Sequence, residues 1–174
     1  IPCGTTDTLG NGTGIVSYTI KDSGGSNLKT FSVPRYRGIE NIFGHIWKWT
    51  DGVLVNVVSG SSGTSAVYAC NRPSLFSSTS YSNYRFVGNE LRSSSYVKEI
   101  HFGEYGDITA KTGDGSADTY YHDYHYGNIG TSLRGLLFGG ITSHGAIAGL
   151  VCSTLNSVPT YTTSIVGSRL CFVP

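Results

Sequence analysis

The residues best suited to chemistry gather in TYYHDYHYG, where His122, Asp123 and His125 lie close together. Imidazoles beside a carboxylate are metal-ligand types. In an extended segment, however, side chains alternate between faces, so His122 and His125 point apart, and no third ligand is marked. The expectation is an aromatic loop packed at its base and exposed at its tip, with no metal and no cofactor. Asp114 to Asp118 has calcium-loop residue types but lacks the DxDxDG pattern and its twelfth-position carboxylate, so it reads as a turn. Ser143 and His144 supply a nucleophile and a base, yet sequence neighbours in strands or loops do not face each other productively. There is no G-x-S-x-G elbow, no GxGxxG and no GxxxxGK[ST]. No catalytic residue is therefore assigned, and the chain is not expected to be an enzyme.

Cys3, Cys70, Cys152 and Cys171 allow two bridges in three connectivities, or buried thiols. None belongs to a CxxC pair, which argues against a thiolate metal site. Trp47 and Trp49 fall on one face of a strand and are expected to floor the core. Arg134 and Arg169 bracket a stretch without Lys, Arg, Asp or Glu, and are expected to hydrogen-bond loop carbonyls or pair with acids.

Strand-like segments recur at Gly14 to Ile20, Ile46 to Thr50, Val53 to Val58, Tyr96 to Phe102, Leu133 to Phe138 and Ser168 to Val173. They are rich in Val, Ile, Tyr and Trp and are fenced by Gly, Ser, Asn and Asp. In HIWKWTDGVLVNVV the pair Asp51-Gly52 suits the positive φ of a tight hairpin turn. The best helical segment is RYRGIENIFGHIWKW, where Ile39, Ile42, Phe43 and Ile46 share an apolar face. Long loops, SGSSGTSAVYACNRPSLFSSTSYSN and KTGDGSADTYYHDYHYGNIG, separate these elements; loops of this length in a compact domain are functional or mobile. Sparse helix, short strands and large loops describe an α+β or mostly-β domain.

The 174 residues suit one domain. Charged residues make up 13% of the chain, against roughly 25% in an ordinary soluble domain. The surface must then be polar but neutral, built from Ser, Thr, Asn, Gly and twelve Tyr, the palette of binding loops. A net charge of +1 and the lack of a Lys/Arg cluster exclude a phosphate-tracking field, so no nucleic-acid partner is expected. No apolar run approaches the ~20 residues of a membrane span, so no membrane insertion is expected.

Taken together, YRGIENIFGHIWKWTDG, LRGLLFGG, the GAxAG of GGITSHGAIAG and the closing VGSRLCF resemble the C-type-lectin-fold variable domain of proteins diversified by diversity-generating retroelements, in the branch of gut Bacteroidales and their phages. The resemblance covers residues 31–174, with 1–30 as an N-terminal strand or extension packed on that domain. It implies an α+β, C-type-lectin-like fold. In that family the stretch between GG and GSRLC is copied from a template whose asparagine codons mutate at adenines, which excludes Lys, Glu, Gln, Trp and Met. Residues 141–166 contain none of those five.

Matched position by position, the resemblance makes Ile141, Ser143, His144, Ile147, Ser153, Asn156, Ser157, Thr160, Tyr161 and Thr163 the variable, ligand-binding set. Gly145, Ala146, Ala148, Gly149 and Leu150 are then scaffold. The implied function is attachment to a cell-surface protein or glycan receptor, from a virion surface on a phage tail or head fibre or from an extracellular bacterial adhesin, with multivalent display or a homo-oligomer. The alternatives are an oxidase resembling formylglycine-generating enzymes, which needs a close copper-binding cysteine pair, and a purely structural virion or pilus component.

Overall fold

A computed structural model describes residues 4–58, 63–149 and 151–168. The fold is nearly all β, with 44% of residues in strands, 5% helical and, among the described residues, no helix of seven residues or more. This corrects the α+β expectation and the C-type-lectin-like fold that went with it.

Eleven of the thirteen strands among the described residues form two sheets. The first is a ribbon of β1 (Gly14–Lys21), β2 (Asn27–Tyr36) and β3 (Ile39–Glu40). The second curls into a half-barrel. Its members are β4 (Trp47–Val57), β5 (Ser65–Ala69), β6 (Arg85–Asn89), β7 (Ser95–Tyr96), β10 (Tyr124–Tyr126), β11 (Ser132–Phe138) and β12 (Ser153–Thr154), in the order β6-β5-β4-β11-β12-β10-β7, with β13 (Val166–Gly167) parallel to the start of β4. The remaining pair, β8 (Glu99–Phe102) and β9 (Ile108–Thr112), makes a separate hairpin.

Positive backbone angles explain why RYRGIENIFGHIWKW is not a helix. Arg37 and Gly38 adopt φ of 45° and 83°. With Tyr36 opposite Ile39, they form the two-residue turn that joins β2 to β3. Asn41 (φ 54°) and Gly44 (φ 68°) break the chain again before β4. Glu40 then clamps the preceding segment. Its carboxylate accepts the backbone N–H groups of Gly4, Thr5 and Thr6 at 2.6, 2.9 and 2.9 Å and both threonine hydroxyls. Burial works to raise its pKa, but these bonds bring the carboxyl down to about 2.

Asp51-Gly52 does not turn a hairpin either, because β4 runs through it. Gly52 takes φ 76°, and the partner β11 advances from Gly135 to Leu137 while β4 spans Leu54 back to Trp49. The surplus residues make a bulge. Bulges bend strands and increase twist, so the Asp-Gly pair curls the sheet rather than reversing the chain. Beyond it, β4 pairs with β5 from Val53 to Val57, the true hairpin. The expected strand at Tyr96 to Phe102 is likewise divided between β7 and β8. Ser168 is not in a strand, and the rest of the expected Ser168 to Val173 strand lies outside the described residues.

Two apolar clusters hold the half-barrel. On one side of the bulge lie Val55, Val57, Val67, Leu136 and Leu155; on the other are Trp47, Leu137 and Cys152, with Trp49, Tyr126, Ile141, Ile147 and Val166 packed on them. Trp47 and Trp49 therefore do belong to one core face. The 30/31 division proposed from sequence falls inside β2. No helix among the described residues is long and apolar enough to cross a membrane.

Candidate ligand-binding site

Alternation along β10 and β12 gives their sheet two working faces. These strands run parallel with His125 beside Ser153 and Tyr126 beside Thr154. Because successive side chains alternate, Tyr126 and Thr154 reach one face while His125 and Ser153 reach the other. An open cleft occupies the first face and a deeper cavity, open at one end, the second.

The cleft, about 210 Å³, is walled by Trp47, Tyr126, Leu137, Thr154, Ile165 and Val166 and rimmed by His144, Asn156, Ser157 and Tyr161. In its aromatic wall Trp47 meets His144 at 5.3 Å and Tyr126 at 6.2 Å edge to face, while Tyr126 and His144 lie 5.4 Å apart with their rings tilted by 34°. Tyr124 and Tyr96 continue the series behind Tyr126, at 4.8 and 5.1 Å in turn. Burial lowers the His144 pKa, so the imidazole is neutral at neutral pH, and the lining contains no Asp, Glu, Lys or Arg. Such a surface recognises uncharged groups by ring contact, hydroxyls and amides.

The rim is held from below. Arg134 donates to the Asn156 carbonyl at 3.0 Å, the loop-carbonyl role expected of it, and Gly135 N–H donates to the Ser157 carbonyl at 3.1 Å. Asn128 donates to the Asn156 side chain at 3.3 Å. Trp47 N–H donates to the Ile165 carbonyl at 2.8 Å, fixing the far end of the loop to β4.

Of the ten variable positions expected from sequence, the structure brings His144, Asn156, Ser157 and Tyr161 to this cleft. Ser143 and Thr160 are exposed outside its lining, and Thr163 is half-buried. Ile141 and Ile147 pack on the Trp47 cluster. Ser153 faces inward, 7% exposed, with its hydroxyl 2.9 Å from His125 Nδ1. Tyr126, Trp47 and Ile165 were not assigned to the site from sequence. Tyr126 could have been, since its alternation with His125 in YHY places the two on opposite faces.

The cavity on the second face, about 520 Å³, lies between the half-barrel and the β8–β9 hairpin. Val53, Val67, Ala69, Val87, Ala110, Leu136 and Phe138 form apolar walls, with Glu90, Thr109 and Ser153 as polar points. Glu90 touches its neighbour His125 through Oε1, 3.6 Å from Nδ1. The imidazole Nε2–H donates to the Leu91 carbonyl at 2.9 Å, which leaves Nδ1 to accept the Ser153 hydroxyl. Burial pushes His125 down to about 4, and burial pushes Glu90 up to about 8 against the opposing backbone of Ala110. Both are thus neutral near pH 7. An imidazole of that acidity is a weak base, so the Ser153–His125 pair is poorly matched to nucleophilic catalysis.

Of the metal-ligand types, His122 is exposed while His125 is buried. Among the described residues no three His, Cys, Asp or Glu are placed to hold an ion. Cys70 and Cys152 are free thiols, and burial pushes Cys152 up to about 12. Cys3, Cys171 and Arg169 lie outside the described residues. No protein-family model, curated protein or solved structure matches the chain.

Proposed function

We propose that the chain is a ligand-recognition domain of an attachment protein, carried on a phage tail or head fibre or on a bacterial surface adhesin, and that the cleft of Trp47, Tyr126, His144 and Tyr161 is its receptor contact. The supporting observation is the gathering of His144, Asn156, Ser157 and Tyr161 around one uncharged, aromatic-walled depression. Tyr161, 43% exposed at its edge, supplies contact area with little rotamer freedom to lose. Asn156 and Ser157 supply hydrogen bonds. A receptor suited to this chemistry is an uncharged portion of a cell-surface glycan or protein, and weak single contacts would gain about 10²- to 10⁴-fold through multivalent display.

The test is binding of the multimerised domain to intact bacterial cells, with periodate- and protease-treated cells separating a glycan from a protein receptor. Replacing Tyr161, Asn156 and Ser157 by Ala should leave the melting temperature within a few degrees of the parent while binding falls by about 30-fold or more, as loss of a central contact does. Undiminished binding by a folded triple variant, or a collapse of its melting transition, removes the cleft from recognition.

A further inference from the structure

The larger cavity has features that recognition at the cleft does not use. Its walls come from β4, β5, β6 and β11, and the β8–β9 hairpin forms its far side. The hairpin turn is held by Arg85, which pairs with Asp107 and lies over the Tyr105 ring at 5.0 Å. Tyr105 and Ile108 are exposed there, at the edge of the opening, whereas Thr109 and Ala110 reach the buried end.

At that end sits Glu90, 4% exposed, whose carboxyl is opposed only by the Ala110 backbone and by His125 Nδ1 at 3.6 Å, with neither oxygen held in a hydrogen bond of good geometry. The Thr109 hydroxyl, 4% exposed, also has no protein partner. Buried polar groups that are poorly paired are costly, and an apolar residue in place of Glu90 would avoid that cost. Apolar walls with a few converging polar groups, at 520 Å³, match the form and size of small-molecule sites.

We propose that this cavity binds a small, uncharged, largely apolar molecule carrying one carbonyl or hydroxyl oxygen, held by the Glu90 carboxyl and the Thr109 hydroxyl. The carboxyl proton, retained at neutral pH because burial disfavours the anion, is the donor to that oxygen; Thr109 is the second donor. Ser153 already spends its proton on His125 and offers only a lone pair, which a ligand hydroxyl can use. An anionic head is disfavoured, because no Lys or Arg lines the cavity and Asp51 and Asp107 stand in its lining. The site is independent of the cleft, from which it is separated by the thickness of one sheet.

Prodan, an uncharged naphthyl ketone whose emission reports a dry environment, is a suitable probe for titration with the full chain. The expected result is saturable one-to-one binding with blue-shifted emission. Glu90→Gln, which keeps a neutral donor, should bind within about threefold of the parent, and Glu90→Leu should weaken binding about tenfold or more, the effect of losing one buried hydrogen bond. Val87→Trp, which fills the cavity from its wall, should abolish binding while the melting transition stays cooperative. If Val87→Trp does not fold, the Gln and Leu variants decide between them. Absence of saturable binding by the parent, or equal binding by parent and Glu90→Leu, overturns the proposal.

Discussion

Glu90 and His125 are two neutral ionisable groups in contact, and their opposite shifts predict a particular stability profile. Glu90 keeps its proton up to about pH 8 in the folded chain but releases it near 4.5 when unfolded, so its contribution declines as pH rises through that interval. His125 takes up a proton near 6.5 when unfolded but only near 4 when folded, so its contribution declines as pH falls from 6.5 to 4. The two slopes cancel between 4.5 and 6.5. Above 6.5 Glu90 acts alone, and the expected loss by pH 8 is about 2 kcal/mol. Denaturant midpoints measured across pH should therefore show that alkaline decline in the parent, and Glu90→Gln should flatten it. A parent and variant that decline together would mean that Glu90 is ionised in the native state. Little of this was visible in sequence. NEL gives no sign that its glutamate is interior, because burial here arises where the segment after β6 meets His125 of β10 and the β8–β9 hairpin, contacts between distant segments. The alternation of YHYGN did carry the relevant information about faces, but in sequence it served only to argue against a metal site at His122 and His125.

At the level of elements, Gly52 is the residue on which the curl of the sheet depends. A Cβ there would stand 2.4 Å from the Cys70 carbonyl oxygen and 2.7 Å from the Phe76 ring, at a φ of 76° that other residues resist. Gly52→Ala is expected to cost about 3 kcal/mol and lower the melting temperature by roughly 5–10 °C, measurable by circular dichroism. A change under 1 °C would show that the bulge relaxes freely. The local chemistry of Asp51-Gly52 was legible in part, since positive φ was expected of the pair and is found at Gly52. Its consequence was not, because the same angle serves a reversal or a bulge and the choice rests on which strand receives Val53 to Val57. The spurious helix has a similar origin. Ile39, Ile42, Phe43 and Ile46 have helical spacing, yet Arg37-Gly38, Asn41 and Gly44 carry left-handed angles that end any helix within a turn.

For the whole molecule, β content was underestimated because the strands are short and several of them pair with partners far away in the chain. Individual strands such as β1 and β11 were nevertheless located within a residue or two. For the expected self-association we propose the β1–β2 ribbon as the contact surface. Ile15 and Leu28, which the register puts on one face of the ribbon, are 69% and 65% exposed. A ribbon of two long strands and the two-residue β3 is marginal on its own, and burying these groups against a second copy would stabilise it. Sedimentation equilibrium of the parent should then show a concentration-dependent oligomer, with Ile15→Lys plus Leu28→Lys shifting it to monomer. A parent that stays monomeric at the highest soluble concentration would exclude the ribbon as a self-association surface.

The stretch 156–165 is closed at both ends by the sheet. Leu155 N–H donates to the Tyr126 carbonyl at 3.0 Å, and Val166 pairs beside Trp47. A segment anchored this way can change length at small entropic cost, about 0.6 kcal/mol for each doubling. Foreign peptides spliced between Pro159 and Ser164 should therefore be carried without unfolding the frame, which makes the molecule a natural chassis for engineered display libraries.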